Sequence, residues 1–348
     1  MQLQIIGWMF LVSVIILRFG MFEQQNFYSN DQRYHVRLIE GIFSVGLPLD
    51  LDWWLSAGRV PYVLPASVVA AVGIHPLLAL KTVSLLALLV VTALVRRLIP
   101  ATTLSQTLAV TYFTATASIG IFFSALGLRD TSMMLFVLWF FVGSSTVAKL
   151  SALLCVVLLR PHLAAALGTG ALVALVYGML HRKSKHTPLS NTFSITFAPF
   201  LGYHIYSLGL QFQDGPSGEY GHRWGILPVI RIASNYVGLQ FLTVRESTVE
   251  FSITSLLLLR LFLSETIIIP LLFTIVVILT RRHSLLMQSV MWSFGIYVGI
   301  VTNTDFNSFR QNIPFMPVMG LVVLLAWKEH RQTRSEVQDP SLTARRET

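Results

Sequence analysis

Residues 73–98, "GIHPLLALKTVSLLALLVVTALVRRL", decide the fold class, because they form a long apolar run that ends in the basic pair Arg96-Arg97. A helix needs roughly 20 apolar residues to cross a bilayer, and basic residues gather at the cytoplasmic ends of spans. Comparable runs recur along the 348-residue chain, which is 54% hydrophobic and only 12% charged. Soluble proteins keep about a quarter of their residues charged. The sequence therefore predicts an all-α, polytopic helical membrane protein.

The apolar runs predict about ten transmembrane helices. The candidate spans are residues 4–21, 75–95, 105–126, 131–147, 150–160, 162–180, 190–211, 262–280, 284–302 and 313–327. We interpret residues 131–160 as a short helical pair, because a single span there would break the pattern of basic loops. The first run has no basic region before it and no cleavage site, so we expect a retained span and not a signal peptide.

The basic clusters predict how these helices are oriented. The clusters are Arg96-Arg97 and residues 181–186, 281–283 and 328–334. All of them fall on one side of the membrane when both termini are cytoplasmic. This placement accounts for the net charge of +9 without a nucleic-acid partner. We expect one transmembrane domain, residues 1–330, followed by a disordered cytoplasmic tail, residues 331–348.

The opposite, external face of this topology receives most of the acidic residues outside the tail. It contains the long loop 22–74, the segment 212–261 and the turns at 127–132, 159–162 and 302–312, with Glu265 close by. Residues 33–46 carry apolar side chains at helical spacing, which predicts an amphipathic helix along the membrane interface. We therefore expect several charged loops to meet over the outer rim of a helical bundle.

Two acids and three arginines on this face are candidates for chemistry. Asp31 precedes the interfacial helix, so it is either a helix cap or a base that deprotonates an acceptor hydroxyl. Asp130, at the mouth of a span, is a catalytic candidate or part of a self-neutralising cap with Arg129. Arg129, Arg160 and Arg310 predict phosphate binding, because a guanidinium donates two hydrogen bonds in one plane. The alternatives are snorkelling for Arg160 and anchoring of a helix end for Arg310.

A third group of residues is placed to contact a sugar or an acceptor. It consists of Tyr34, His35, Trp53, Trp54, Tyr62, His162, His222, Arg223 and Trp224. An aromatic belt is the alternative for the tryptophan pair, and a plain surface role for residues 220–224. We expect the segment 212–261 to lie as a lid over the external cavity. Because no nucleotide-binding glycine loop and no metal-ligand spacing occurs, an activated donor has to arrive within the membrane.

The order of these features resembles the integral-membrane GT-C glycosyltransferases that use polyprenyl-phosphate sugars, the family 39 type among them. Residues 73–98 resemble their second span, and "SALGLRDTSMMLFVLWFF" (124–141) resembles their second external turn. "FRQNIPFMPVMGLVVLLAW" (309–327) is similar to their terminal Arg-x-x-x-Pro-x-x-Pro span. The resemblance implies that Asp31 is the base, Asp130 a second acid and Arg310 a phosphate ligand. Gln32 stands where the family commonly has another carboxylate.

The resemblance implies an inverting enzyme that transfers a sugar from a polyprenyl-phosphate donor to a lipid-linked or surface-glycan acceptor. It would act at the external face of the cytoplasmic membrane without a cofactor. A divalent metal at Asp31 and Asp130 is compatible with this chemistry but is not supported by their spacing.

Two alternatives stay open. "LRDT" and "LLRPHL" resemble O-antigen and exopolysaccharide polymerases, which implies a polyprenyl-pyrophosphate donor and arginines as the main catalytic groups. A transporter or flippase of lipid-linked saccharide is the non-enzymatic alternative. It is less favoured because the polar residues gather at one rim and the spans show no clear internal repeat.

Overall fold

The computed structural model describes residues 30–47, 50, 53, 59–116, 119–180, 188–214, 232–233, 236, 253–280, 284–302 and 312–338. Nearly all of these residues are helical and none of them lies in a strand, which confirms the all-α class. The predicted first span, residues 4–21, lies outside the described residues.

The helices follow one another with short connections. They are α1 (Asn30–Val45), α2 (Leu64–Ala70), α3 (Pro76–Leu98), α4 (Leu104–Phe113), α5 (Ile119–Leu126), α6 (Asp130–Val142), α7 (Thr146–Leu159), α8 (Pro161–Leu180), α9 (Pro188–Asp214), α10 (Ile253–Leu279), α11 (Leu285–Thr302) and α12 (Met316–Gln338). A π-helical turn, Arg59–Val63, leads into α2, and a 3-10 turn, Ile313–Phe315, leads into α12.

The described part of the chain contains four helices that are long and apolar enough to cross a membrane. They are Pro76–Leu98, Pro161–Met179, Leu285–Thr302 and Ile313–His330. Shorter apolar helices are Val60–Ala70, Asp130–Val142, Thr146–Leu159 and Ser264–Leu279. The apolar helices support a membrane protein, whereas the prediction of about ten spans stays a prediction.

Local sequence signals explain where several helices begin. Pro76 occupies the first turn of α3, and the His75 imidazole accepts a hydrogen bond from the Leu77 amide at 3.2 Å. Proline suits this position because the first amides of a helix have no partner within it. Ser145 caps α7 by accepting from the Ala148 amide at 3.1 Å. With α6 ending at Val142, the predicted short helical pair in residues 131–160 is present.

The predicted span 105–126 is wrong as a single helix, because the chain breaks between α4 and α5. Thr114 donates its hydroxyl to the Val110 carbonyl at 2.7 Å, and Thr116 donates to the Thr111 carbonyl at 3.1 Å. Ala115 between them has a φ of 56°. That left-handed conformation stops an α-helix at a residue other than glycine only when its surroundings hold it.

Two helix pairs define the two ends of the bundle. α8 runs antiparallel to α11, since His162 stacks on Tyr297 while Ser293 donates to the Leu167 carbonyl at 3.3 Å. α9 runs parallel to α11, and a methyl group on Gly202 would overlap the Ile296 backbone. The close approach of these helices therefore depends on small residues.

We call the end that holds Arg160 and Tyr297 the arginine end. α3, α6, α8 and α12 begin near it, and α7 and α11 finish there. Asn191, at the start of α9, donates to the carbonyls of Val277 and Thr280 at 3.1 and 3.2 Å, at the opposite end. Helix ends next to the basic clusters therefore lie away from the arginine end, in agreement with the predicted separation of charge.

Residue 236 shows where one point of the predicted external segment 212–261 lies. The Tyr236 hydroxyl donates to the Ile195 carbonyl at 3.0 Å, and its ring meets Phe294 edge-on. Tyr236 is 8% exposed, so the segment enters the helical bundle there, deeper than expected for a lid. α9 also continues to Asp214 and α10 begins at Ile253, which shortens the connection.

The last helix is longer than expected. α12 continues to Gln338, so residues 331–338 are helical and the prediction of a disordered tail is wrong for them. Glutamate, lysine, arginine and glutamine, which are frequent in this stretch, are good helix formers. Residues 339–348 lie outside the described residues.

Candidate functional site

Two predicted turns meet at the arginine end. Arg129 precedes α6 and donates from Nη1 to the Leu159 carbonyl at 3.3 Å, which joins the 127–132 turn to the end of α7. Arg160 follows α7 and donates from Nη1 to the Tyr297 hydroxyl at 3.0 Å. The sequence separation between Arg129 and Arg160 is thus closed by two hydrogen bonds, and the predicted convergence of these arginines is present.

Proline explains why Arg160 stands at a break in the chain. Arg160 has an extended backbone, with φ −160° and ψ 93°, and Pro161 follows it as the first residue of α8. A residue before proline is kept out of the α region by steric clash, so α7 has to stop there. The Arg160 side chain can then reach sideways to α11.

His162 and Asp130 complete the cluster. The His162 ring stacks on the Tyr297 ring with centroids 6.0 Å apart and an interplanar angle of 4°. The charges of Arg129 and Arg160 act on His162, and those of Asp130 and both arginines act on Tyr297. Asp130 is fully buried in the first turn of α6, where a carboxylate also favours the helix dipole. We call these five residues the arginine cluster.

The carbonyls in front of Arg129 are held by side chains from three other elements. Gln32 of α1 donates its amide to the Leu126 carbonyl. Tyr62 of the π-helical turn donates its hydroxyl to the Gly127 carbonyl at 2.6 Å. Ser84 of α3 donates its hydroxyl to the Leu128 carbonyl at 3.0 Å. We call these three contacts the carbonyl clamp. It satisfies carbonyls at the end of α5 that have no partner within the helix.

Gly127 lets the chain turn between α5 and α6. Its φ is +62°, and a methyl group there would lie 2.9 Å from Lys81 Cγ and 3.1 Å from the Lys81 amide nitrogen. Glycine adopts a positive φ without strain and is common one residue past a helix end. Turn conformation and close packing on α3 therefore both require glycine here.

Two predicted sugar contacts lie in the protein interior, which corrects their expected position. Tyr62 is 0% exposed, and its hydroxyl belongs to the carbonyl clamp. His35 is 2% exposed, with its ring edge-on to Tyr62 at 5.4 Å. Their apolar ring faces pack between α1 and α3. Tyr34, by contrast, is 46% exposed and remains accessible.

The other predicted site residues are not brought to the cluster by the described structure. Trp53 is half-buried. Asp31 lies in the first turn of α1, but its side chain is outside the description. Trp54, His222, Arg223, Trp224 and Arg310 lie outside the described residues. Their predicted roles stay predictions.

Sequence reasoning missed Tyr297, Gln32 and Ser84. Tyr297 lies in an apolar run, where a tyrosine resembles any large core residue. A usable signal was that a buried phenol needs a hydrogen-bond partner. Ser84 and Gln32 are polar residues on faces that pack inward, and this is visible only once α1 and α3 are placed.

The fold and the site define an all-helical protein with several apolar helices and a charged cluster at one end of the bundle. Among the described residues, no group of three or more His, Cys, Asp and Glu side chains is arranged to hold a metal ion. Comparisons of the chain with protein-family models, characterised proteins and solved structures found no match.

Proposed function

We propose that the protein is a membrane glycosyltransferase that takes a sugar from a polyprenyl-phosphate donor and transfers it to a lipid-linked or surface-glycan acceptor. The supporting observation is the meeting of Arg129 and Arg160 beside His162 at one end of the apolar helices. Guanidinium groups match phosphate in charge and geometry, and a lipid-borne phosphate would reach them from the bilayer. The proposal places the enzyme in the cytoplasmic membrane, with both termini cytoplasmic and no nucleic-acid partner.

In this proposal the bond between the sugar anomeric carbon and the phosphate oxygen breaks, and the polyprenyl phosphate leaves with the electron pair. The acceptor hydroxyl forms the new glycosidic bond with inversion, and its proton passes to a carboxylate. Asp31 is assigned as this base by resemblance. Arg129, Arg160 and Arg310 would stabilise the leaving phosphate. The full burial of Asp130 suits an acid that balances and orients the arginines.

Arginine substitutions test this proposal. We expect Arg129→Ala and Arg160→Ala to reduce sugar transfer from a panel of polyprenyl-phosphate sugars by about a hundredfold or more, the scale of losing an oxyanion donor. Arg97→Ala is the matched control, because Arg97 is exposed at the basic end of α3. The proposal falls if the two cluster variants, correctly inserted, transfer sugar as well as wild type.

A polymerase of glycan repeat units is the second enzymatic candidate. The observation that favours it is the composition of the described cluster, which holds two arginines and a histidine but a single, fully buried acid. Such a site would depend on arginines for a pyrophosphate donor. Product length separates the two: a polymerase deficit leaves single repeat units attached, whereas a transferase deficit removes a sugar from every unit.

A transporter or flippase is the non-enzymatic candidate, and the break between α4 and α5 favours it. Broken helices with buried polar groups commonly line transport sites. Glu265 is fully buried and accepts a hydrogen bond from the Ile119 amide at 3.1 Å, at the start of α5. Reconstituted vesicles decide the matter: movement of a labelled lipid-linked saccharide across the bilayer without sugar transfer would support the transporter.

A further inference from the structure

Three consecutive carbonyls form the base on which Arg129 stands. Leu126, Gly127 and Leu128 each accept a hydrogen bond from a side chain of a different element. The donors are nearly inaccessible to solvent: Gln32 is 4%, Tyr62 0% and Ser84 0% exposed. The clamp therefore ties the arginine turn to α1, the π-helical turn and α3 at once.

Tyr62 is the centre of this arrangement. Its hydroxyl is 2.6 Å from the Gly127 carbonyl and 3.0 Å from the Ser84 hydroxyl, which itself donates to Leu128. Its ring is held edge-on by His35 of α1. A displacement of α1 would therefore move both Gln32 and the packing of Tyr62, and through them the carbonyls before Arg129.

We propose that Tyr62, together with Gln32 and Ser84, is a positioning residue that fixes the turn 126–129 and thereby the direction in which Arg129 presents its charge. This inference rests on the proposed function, since it assigns the clamp to the phosphate-binding arginine of that site. It also makes α1, the expected interfacial helix, part of the site without direct contact with the lipid phosphate. The amide of Gln32 is needed because a carbonyl oxygen requires a donor, which a carboxylate would not supply.

Hydrogen exchange of full-length protein in nanodiscs measures the clamp directly. The amides to follow are those of Gly127, Leu128 and Met133, which donate to the carbonyls of Ser124, Phe123 and Arg129. In Tyr62→Phe we expect these amides to exchange about fivefold faster, the change that corresponds to the net loss of one hydrogen bond. Tyr236→Phe is the matched control, since it removes another buried tyrosine bond to a carbonyl, that of Ile195.

Farnesyl phosphate, titrated calorimetrically into the same nanodiscs, measures the consequence for the arginines. We expect its affinity to fall about fivefold in Tyr62→Phe, in proportion to the loosened turn, and to be unchanged in Tyr236→Phe. Ser84→Ala gives a second, smaller perturbation if Tyr62→Phe folds poorly. Its control is Ser67→Ala, because Ser67 donates to the Val63 carbonyl at 2.9 Å within α2.

The outcomes separate the two proposals. Unchanged exchange at all three amides in both Tyr62→Phe and Ser84→Ala overturns the clamp. Faster exchange with unaltered farnesyl phosphate affinity overturns its positioning role. If wild type and Arg160→Ala bind farnesyl phosphate equally, the proposed phosphate site falls, while the exchange rates still decide whether the clamp holds the turn.

Discussion

The Arg160 guanidinium donates a 3.0 Å hydrogen bond to the Tyr297 hydroxyl across a sequence separation of 137 residues. Arg160 is 8% exposed and Tyr297 is 0% exposed. A buried donor that loses its acceptor suffers a desolvation penalty of about 1–3 kcal/mol, and more when the group is charged. The hydroxyl therefore holds Arg160 in the orientation that the proposed phosphate site uses.

Tyr297→Phe tests that relationship. The variant keeps the ring that stacks on His162 and removes only the acceptor for Arg160. We expect farnesyl phosphate affinity to fall about tenfold and the free energy of unfolding to fall by about 1–3 kcal/mol. Calorimetric titration and thermal unfolding in nanodiscs measure the two effects.

Tyr112→Phe is the control for this variant, because its hydroxyl donates to Ser264 at 2.8 Å, outside the arginine cluster. It should lower stability without changing farnesyl phosphate affinity. Equal loss of affinity in both tyrosine variants would contradict a specific link between Tyr297 and Arg160.

Arg160→Lys asks whether the shape of the charge matters. Lysine keeps the positive charge but replaces the planar guanidinium with a single ammonium group, which cannot bridge Tyr297 and a phosphate in one plane. We expect farnesyl phosphate affinity to fall about tenfold, a loss of one charge-assisted hydrogen bond. Arg97→Lys, exposed at the basic end of α3, should bind as wild type does. Full retention of affinity in Arg160→Lys would mean that charge alone is used.

The convergence of Arg129 and Arg160 could be predicted because both follow from one-dimensional signals. Apolar runs locate the helices, basic clusters assign their ends, and polar turns at the same end have to meet. Pro161 even marks the point where α7 stops. These signals depend on hydrophobicity and local backbone chemistry, which act over a few residues.

The break at Ala115 could not be predicted in this way. Residues 105–126 are apolar enough for one helix, and the break needs a hydrogen bond to the Ile119 amide from Glu265, far along the chain. The inward positions of Tyr62 and His35 likewise depend on how α1 packs on α3. Such contacts between distant helices leave no periodic signal in the sequence.

Gly127→Ala should disturb the turn in two ways. A φ of +62° disfavours alanine, and the added methyl would press on Lys81, which has to move by several tenths of an ångström. We expect a loss of about 2–3 kcal/mol in unfolding free energy, the combined scale of backbone strain and overpacking. Chemical or thermal unfolding in nanodiscs measures the difference.

Gly168→Ala is the companion substitution. Gly168 lies inside α8, and a methyl group there meets nothing within 4 Å. Alanine favours the helix over glycine by about 1 kcal/mol, so this variant should be neutral or more stable. A Gly127→Ala protein as stable as Gly168→Ala would contradict the strained turn.

Glu265 should matter through the one hydrogen bond by which it caps α5. Its Oε2 accepts from the Ile119 amide at 3.1 Å, and the side chain is fully buried. Glu265→Ala leaves that amide buried without an acceptor, so we expect a loss of about 1–3 kcal/mol in unfolding free energy. Glu265→Gln keeps an acceptor oxygen and should lose less than half as much. Because the charge is absent from both variants, equal destabilisation would show that the carboxylate charge, and not the cap of α5, is what the bundle requires.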